Sequence, residues 1–139
     1  MISYRKITLE ELSKNGKNYK WDKFHCDKCE RNMWGHGFVG RYFSSISEAI
    51  FLKRYRCPNC STVVTIRPEG YWPYIRSSID LIFQALRSRI RDGFWLVGFS
   101  RQRGGHWLGR FTDHAKMSCE NNLLFFLQFC FEKGIRFFP

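Results

Sequence analysis

The sequence predicts an α+β fold, and three observations carry this prediction. Two Cys-x2-Cys pairs, Cys26–Cys29 and Cys57–Cys60, are separated by 27 residues. Runs of β-branched and aromatic residues, which are typical of short strands, surround both pairs. From residue 71 onward, apolar residues recur instead at helical spacing. We therefore expect a small zinc ribbon with four cysteine ligands, followed by an α-helical helix-turn-helix-like module.

Length and composition indicate one compact domain or two small modules that share a core. The chain has 139 residues, of which 44% are hydrophobic and 18% aromatic, so a sizeable core can form and wholesale disorder is not expected. Changes of composition divide the chain into four segments. They are a polar lead-in at residues 1–20, the zinc ribbon at 21–70, the helix-turn-helix-like module at 71–117, and an apolar C-terminal helix and tail at 118–139.

Two Ser/Thr-x-x-Glu patterns predict helix starts in the first half of the chain. Thr8 with Glu11 predicts a capping box for one or two helical turns in an otherwise solvated lead-in. Ser45 with Glu48 predicts a second capping box inside the ribbon. Between the cysteine pairs, glycines interrupt an aromatic run and predict a hairpin or an irregular loop, whereas the β-branched run at residues 62–66 predicts a strand.

The four cysteines of the two pairs have the spacing of ligands for one structural Zn²⁺. Two residues between cysteines let one tight turn place both sulfurs on the same ion. Four thiolates would close the site, so the ion would stabilise the fold and would not activate water. Reduced core cysteines or a disulfide are the alternatives, and His25 or His36 could replace one ligand. The expected ligands are Cys26, Cys29, Cys57 and Cys60.

The helix-turn-helix-like module is predicted to begin after a rigid turn, with Pro73 at the first position of a helix. Apolar residues from Ile75 to Ile90 follow one helical face, and Asp92-Gly93 ends that helix. A short helix in the apolar piece 94–99 and a glycine-containing turn are expected next. A second helix, which Ser100 caps, completes the module.

The second helix of this module contains Gly104-Gly105. Each glycine costs about 1 kcal/mol relative to alanine in a helix. We therefore expect this helix to be short, kinked or ordered only on binding, and a generic helical hairpin is the alternative arrangement. The last helix is expected to run from near Ser118 to Lys133-Gly134. Its apolar residues lie on nearly all sides, so it belongs either to the core or to an interface.

The formal net charge of +11 favours a polyanionic partner, and double-stranded DNA is the partner we expect. At a helix start, Arg can pair with guanine and Gln with adenine in the major groove, while other arginines hold phosphates. An ordinary solvated basic face is the alternative interpretation. The expected DNA contacts are Arg76, Arg87, Arg89, Arg91, Ser100, Arg101, Gln102, Arg103, His106 and Arg110.

Neither a signal peptide nor a membrane span is expected. The residues after Met1 have no apolar h-region, and the longest apolar run, 123–131, is interrupted by Gln128 and is shorter than a bilayer requires. We expect a cytoplasmic, nucleoid-associated protein in a reducing compartment.

Several sequence features occur together in one known group of proteins. They are the run Tyr-Arg-Cys-Pro-Asn-Cys-Ser-Thr-Val-Val-Thr-Ile-Arg-Pro at 55–68, a Trp-Pro-Tyr step, a long helix, and a Ser-Arg-Gln…Trp-Leu-x-Arg-Phe element. Residues 24–112 thereby resemble small zinc-ribbon plus helix-turn-helix proteins associated with bacterial insertion sequences, and the N-terminal DNA-binding regions of some transposases. The resemblance implies recognition of transposon-end or regulatory DNA, with a separate transposase or recombinase as the catalytic partner. It also implies that the four cysteines are ligands and that the segment 100–110 reads DNA, although Gly104-Gly105 departs from the pattern.

Two other functions stay open at this point. A protein-interaction adaptor would use the ribbon and the Phe-rich C-terminal segment, 118–139, which is also the region expected to self-associate. A small metal-dependent nuclease would use His106 or His114 near Asp113. Because the carboxylates are scattered and no Ser-His-Asp or Cys-His set is apparent, we expect the protein not to be an enzyme.

Overall fold

The computed structural model describes residues 1–138, which form two compact units. The first unit, Met1–Ser77, contains a four-stranded sheet and a short helix, and the second unit, from Ser78 onward, contains three helices. The fold is thus mixed α and β. The last residue of the predicted tail, Pro139, lies outside the described residues.

The sheet of the first unit has the strand order β1-β4-β3-β2. Its strands are β1 (Ile2–Arg5), β2 (Trp34–Phe43), β3 (Ile46–Arg56) and β4 (Val63–Pro68). Strands β2 and β3 form the antiparallel hairpin that the glycine-rich aromatic run predicted, with register irregularities near Gly35 and Arg41. Strand β4 pairs antiparallel with β3 and parallel with β1.

The second predicted capping box is wrong, because Ser45 lies in the hairpin turn and Glu48 lies on β3. Ile50 and Leu52 are fully buried on one face of β3, and Phe51 between them is only half-buried. This two-residue alternation of burial is the pattern of a strand, and it outweighs a local helix-start signal.

The lead-in at residues 1–20 is not merely solvated chain. It forms β1, helix α1 (Leu9–Asn15) and a 3-10 turn (Gly16–Asn18). The first capping box is confirmed, since the Glu11 N–H donates to the Thr8 hydroxyl and the Thr8 N–H donates to the Glu11 carboxylate. Two leucines on one face of α1 explain the difference, because they pack against the sheet. This core cluster contains Leu9, Leu12, Phe43, Ile50 and Leu52.

The helices of the second unit are α2 (Ile79–Asp92), α3 (Arg101–Met117) and α4 (Leu123–Lys133). The predicted end of α2 is confirmed, since Gly93 caps it in a left-handed conformation. The predicted start at Pro73 is wrong, and Ser78 is the N-cap instead. Tyr74 has a φ of +64°, which a right-handed helix does not accommodate, so no helix can begin at Pro73.

The segment between α2 and α3 contains no short helix, contrary to the prediction for residues 94–99. It makes a tight turn in which the Phe99 N–H donates to the Leu96 carbonyl at 3.0 Å. Gly98 has a positive φ of 76° in this turn, which explains why helix does not form there. Ser100 caps α3 as predicted, because its hydroxyl accepts a hydrogen bond from the Arg103 N–H.

Gly104-Gly105 does not interrupt α3, which is continuous over its 17 residues. Gly104 is buried, and a Cβ at this position would lie 2.7 Å from the ring of Trp95. The glycine therefore lets the indole pack directly on the helix backbone. Trp95 stacks in turn on Phe99, whose ring centroid lies 5.1 Å from that of Trp107. This aromatic packing offsets the low helix propensity of glycine.

Helix α4 begins later than the sequence predicts. Ser118 caps the C-terminal end of α3, and Cys119 has a positive φ of 54°, so no helix can start there. Asn122 is the N-cap of α4, and Gly134 ends the helix as predicted. One side of α4, with Phe126 buried, packs within the unit, whereas other apolar side chains are exposed. No helix among residues 1–138 is both long enough and apolar enough to cross a membrane.

The close approach of Trp95 to Gly104 predicts that alanine substitutions at Gly104 and at Gly105 change the free energy of unfolding in opposite directions. Gly104→Ala places a methyl group against the indole, and we expect the clash to cost about 1–3 kcal/mol, more than the helix-propensity gain of about 1 kcal/mol. Gly105→Ala, with nothing within 4 Å of the added Cβ, should raise the free energy of unfolding by about 1 kcal/mol. Urea denaturation of the two variants checks both signs. Equal stabilisation by both substitutions would contradict the packing role of Gly104.

Candidate metal centre and basic surfaces

The first cysteine pair forms a tight turn between the lead-in and β2. The Glu30 N–H donates to the Cys26 carbonyl at 2.8 Å, and the Cys26 N–H donates to the Arg31 carbonyl at 2.9 Å. Glu30, which directly follows Cys29, has a left-handed φ of 55°. The turn reverses the chain so tightly that both sulfurs lie on one side of it.

The second cysteine pair, between β3 and β4, repeats this geometry. The Ser61 N–H donates to the Cys57 carbonyl at 3.1 Å, and the Cys57 N–H donates to the Thr62 carbonyl at 2.9 Å. Ser61, directly after Cys60, has a left-handed φ of 59°. Two stretches with different sequences thus adopt the same knuckle, the conformation that two ligands from one turn require.

The four cysteine sulfurs of the two knuckles lie within 4.8 Å of one another. The Cys26 and Cys60 sulfurs are 3.6 Å apart, close to the separation of about 3.8 Å for two sulfurs that each lie about 2.3 Å from one tetrahedral ion. These side chains could therefore hold a metal ion. Among residues 1–138, no other group of three or more His, Cys, Asp or Glu side chains comes together in this way.

The alternative in which His25 or His36 replaces one cysteine ligand has no support in this geometry. His25 is exposed and lies on a backbone bridge to Asn32, and His36 is exposed on β2. The cluster contains four cysteines and neither histidine.

Polar neighbours distinguish the four sulfurs. The amide of Asn59 donates to the Cys29 sulfur at 3.3 Å, and the Thr62 hydroxyl lies 3.1 Å from the Cys60 sulfur. Cys26 and Cys57 are buried, whereas Cys60 is exposed. Cys29 and Cys60, the two cysteines that are not buried, thus have side-chain hydrogen-bond partners that favour the thiolate form.

The same neighbours separate the pKa values of two cysteine thiols. A side-chain hydrogen bond with the Thr62 hydroxyl and a backbone hydrogen bond with Thr62 lower the pKa of Cys60 to about 6. The Lys28 N–H lowers the pKa of Cys26, but burial and the thiols of Cys60 and Cys57 outweigh this effect and raise it to about 11. A metal ion must displace the proton of Cys26, so metal binding releases protons and weakens as the pH falls.

A small aromatic core fixes the knuckles to the sheet. Phe24 and Tyr55 stack with their ring centroids 5.6 Å apart, and the Tyr55 hydroxyl donates to the Asp22 carbonyl at 2.6 Å. The core cluster contains Phe24, Cys26, Met33, Tyr55, Cys57, Val64 and Ile66. Because two of the cysteines belong to this core, the sulfur positions and the sheet are stabilised together.

The chain is thus a mixed α+β protein with a four-cysteine cluster that could hold a metal ion. Comparisons of the chain with models of protein families, with curated proteins and with solved structures found no match.

The arginines expected to hold phosphates lie on two different units. Arg76 belongs to the first unit, where its guanidinium lies 5.6 Å from the ring centroid of Tyr42. The helix predicted to begin at Pro73 would have included Arg76, and this placement is wrong. The helix begins only at Ile79, and Arg76 precedes it. The other three are exposed on α2 and contact groups of their own unit. Arg87 donates to Gln128, Arg89 donates to the Gly93 carbonyl, and Arg91 pairs with Asp92 at 3.0 Å.

The residues expected to read DNA lie at the N-terminal half of α3. The hydroxyl of Ser100 serves as the helix cap, so it is already engaged. Arg89 and Arg101 line one cavity of about 480 Å³ with the aromatic residues of the connecting segment. The remaining predicted contacts are all exposed, and they are Gln102, Arg103, His106 and Arg110.

The cysteine cluster predicts that serine substitution lowers the metal affinity at Cys60 but not at Cys119, although both residues are exposed. Cys60→Ser removes one thiolate, and we expect metal affinity to fall at least about 100-fold, because changes to residues that only hydrogen-bond to ligands already cost about 10–100-fold. Cys119→Ser should leave the affinity unchanged. Titration with Co²⁺, followed through thiolate charge-transfer absorbance, measures both. Equal affinities for the two variants would show that the four sulfurs do not act together.

Proposed function

We propose that the chain is a zinc-stabilised protein that binds double-stranded DNA through helix α3. Four thiolates within 4.8 Å of one another suit Zn²⁺ and would leave no open position for a substrate or a water molecule. The ion would then hold the two knuckles together as in a zinc ribbon. It would take no part in a reaction.

The observation that carries the DNA-binding proposal is the composition of the exposed first half of α3. Residues 101–110 contain three arginines, a histidine and a glutamine, and no acidic residue. These five side chains are exposed. Arg and Gln are the side chains that form paired hydrogen bonds with guanine and adenine in the major groove, and an α-helix fits that groove.

Two glycines on the same face leave room for close approach to a nucleic-acid backbone. Gln102, Gly105, His106 and Gly109 follow one another at helical spacing, and all four are exposed. A Cβ at Gly105 or Gly109 would meet nothing within 4 Å, so packing within the protein does not explain either glycine. The helix backbone that these two glycines expose beside Gln102 and His106 favours the close approach of a large partner such as a nucleic-acid backbone.

The start of α3 also offers a place for a phosphate. Arg89 and Arg101 line the same cavity, next to the N-terminus of a 17-residue helix. The helix dipole and the unsatisfied N–H groups of the first turn add to the attraction of these two guanidinium groups for an anion. In this arrangement Arg89 would contact the backbone of the duplex while Gln102 reaches the bases.

The connection between α2 and α3 differs from that of an ordinary helix-turn-helix. Residues 93–100 connect the helices, whereas the usual turn is about 3–4 residues long. The surface of α3, and not the turn before it, therefore supports its role as the helix that reads DNA.

The resemblance to proteins of insertion sequences suggests which DNA the chain would bind, namely transposon-end or regulatory DNA, with a transposase or recombinase as partner. That assignment, like the nucleoid location, stays a prediction.

A nuclease would need a second metal site, and the histidines of α3 give it little support. His114 stacks on Phe126 at 5.7 Å between ring centroids, and His106 stacks on Phe138 at 6.1 Å. Neither forms a three-ligand cluster with Asp113 within residues 1–138.

Duplex binding through α3 predicts a measurable change in salt dependence. The observed affinity for a random duplex should fall steeply as salt rises, and Arg101→Ala and Arg110→Ala should each reduce the slope of log K against log [salt] by about 0.9. Lys133→Ala, an equal charge loss on α4, is the matched control and should leave the slope unchanged. Fluorescence anisotropy of a labelled duplex measures these slopes. An affinity that does not respond to salt, or equal slopes for all variants, would overturn the proposal.

A second candidate function, protein interaction through α4, rests on its exposed aromatic side. Phe125 is 62% exposed, although the helix has a hydrophobic composition that suits a buried position. The exposed apolar residues of α4 are Leu124, Phe125, Phe129 and Phe131. Such a surface would support self-association or docking of a recombinase.

Self-association through α4 predicts that Phe125→Ser shifts the chain toward monomer in sedimentation velocity. Met117→Ser, which removes another exposed apolar side chain at the end of α3, is the control and should have no effect. A wild-type chain that is monomeric at every concentration would exclude self-association by this surface.

A further inference from the structure

A second basic site lies entirely within the first unit, whereas α3 belongs to the second unit. It is a cavity of about 470 Å³ between the β2–β3 hairpin, the end of β4 and the segment that follows β4. Three guanidinium groups and two phenol rings line it, together with an isoleucine and a glycine, and none of these lining residues is acidic. The polar lining residues are Arg41, Tyr42, Arg67, Tyr74 and Arg76.

Arg67 is the unusual member of this group because it is buried without a carboxylate. Its side chain is only 6% exposed, and one terminal nitrogen donates to the carbonyls of Trp72 and Ile75, both at 3.1 Å. Its Nε is buried and has no hydrogen-bond partner among the described residues. Burying a charge without an opposite charge costs several kcal/mol, so the fold retains a costly cation in the lining of this cavity.

The neighbouring charges make the cavity more positive. Burial lowers the pKa of Arg67, and the nearby charge of Arg41 adds to this effect. Arg76, whose guanidinium stacks over Tyr42, completes a set of three cations at one site. Like charges repel, and an anion placed among them would offset that repulsion.

The backbone beside the cavity is strained at Tyr74, and the aromatic side chain of this residue is exposed. Tyr74 has a φ of +64°, in a turn where the Ile75 N–H donates to the Trp72 carbonyl at 3.2 Å. Glycine is favoured at this position of such a turn, and a bulky residue there costs about 1–2 kcal/mol. The ring of Tyr74 is nevertheless 86% exposed, so packing does not offset the strain. Strain of this kind is typical of functional positions.

Hydrogen bonds fix the walls of the cavity to one another. The Ser44 N–H donates to the Arg76 carbonyl at 3.0 Å, and the hydroxyl groups of Ser44 and Ser77 lie 3.2 Å apart. The segment that carries Tyr74 and Arg76 is thereby tied to the turn of the β2–β3 hairpin. The backbone segments that carry the three arginines are thus held together before any ligand arrives, which lowers the entropy cost of binding.

We propose that this cavity binds the phosphate group of a nucleotide, with Arg41, Arg67 and Arg76 as its donors and the exposed tyrosine rings beside it as a stacking surface for the base. Planar guanidinium groups match phosphate oxygens in pairs, and tyrosine faces stack on any base. The phosphate can come from a free nucleotide or from a single-stranded nucleic acid. The site does not rest on the duplex contacts proposed for α3, which belong to the other unit.

The test is a titration of the intact, metal-loaded chain by calorimetry with three probes, namely inorganic phosphate, thymidine monophosphate and a short thymidine strand. We expect saturable binding, with each of Arg41→Ala and Arg76→Ala weakening it about tenfold, the loss expected for a charge-assisted hydrogen bond. Both arginines are exposed, so these variants should fold. Lys14→Ala, an equal charge loss on α1 of the same unit, is the control and should bind as the wild type does.

Two further variants separate the parts of the site. Arg67→Lys keeps the charge but loses the planar donor pair, and it should abolish phosphate binding while circular dichroism stays native. Tyr74→Gly should raise the melting temperature, leave inorganic phosphate binding unchanged and weaken nucleotide binding.

The source of the phosphate follows from a comparison of the probes. A strand that binds much more tightly than thymidine monophosphate indicates nucleic acid, and equal affinities indicate a free nucleotide. Absence of saturable binding for all three probes, or affinities unchanged in Arg41→Ala and Arg76→Ala, would overturn the site. Because Arg101→Ala is not expected to affect these titrations, failure here is distinguishable from failure of duplex binding by α3.

Discussion

Four sulfurs held at one point are the constraint on which the first unit depends. The two knuckles are far apart in the chain, yet their cysteines lie within 4.8 Å of one another. Without an ion, deprotonated thiols at such distances repel one another, and Cys26 stays protonated well above neutral pH. A divalent ion would reverse this balance, because it would attract all four thiolates at once. Strands β2, β3 and β4 each begin or end next to a knuckle, so the position of the four sulfurs also fixes the ends of these strands.

The described part of the second unit has no such cysteine cluster, and aromatic packing takes its place. Trp95 packs on the bare backbone of Gly104, and Phe111 and Phe137 meet at 5.4 Å between ring centroids inside the unit. The polar sides of α2 and α3 are then free to carry charge, because the core forms on their other sides. Because the core of the second unit forms on the other sides of these helices, basic residues can cluster on the exposed side of α3. The arginine cavity is a separate feature of the first unit.

Local signals in the sequence predicted most of the elements and the cysteine cluster. The Cys-x2-Cys spacing, the capping box at Thr8 and the cap at Ser100 each depend on residues within one or two turns, so they can be read from the chain. Other features were not predictable, because they depend on contacts between distant residues. The burial of Leu9 and Leu12 against β3 turned a lysine-rich lead-in into core, and the packing of Trp95 explains Gly104.

The arginine cavity gave no sequence signal at all. Arg67 lies on β4 after an ordinary β-branched run, and nothing in the sequence near it shows that its side chain is buried without a carboxylate. Likewise, Tyr74 follows a proline that suits a helix start, and only the left-handed backbone shows that a turn forms there. Arg76 was singled out for its charge, but the folded chain places it with Arg41 and Arg67 and not on α2.

The most direct test of the metal's role is hydrogen exchange of the intact chain, measured residue by residue, with zinc bound and after a chelator has removed it. We predict that amides of β3 and β4 lose their protection without zinc, because binding energies of about 10–16 kcal/mol for structural zinc exceed the stability of a small sheet. Amides of α2 and α3 should keep their protection. If β3 and β4 remain protected in metal-free protein, or if the purified chain binds no zinc, the four cysteines do not stabilise the fold through a metal ion.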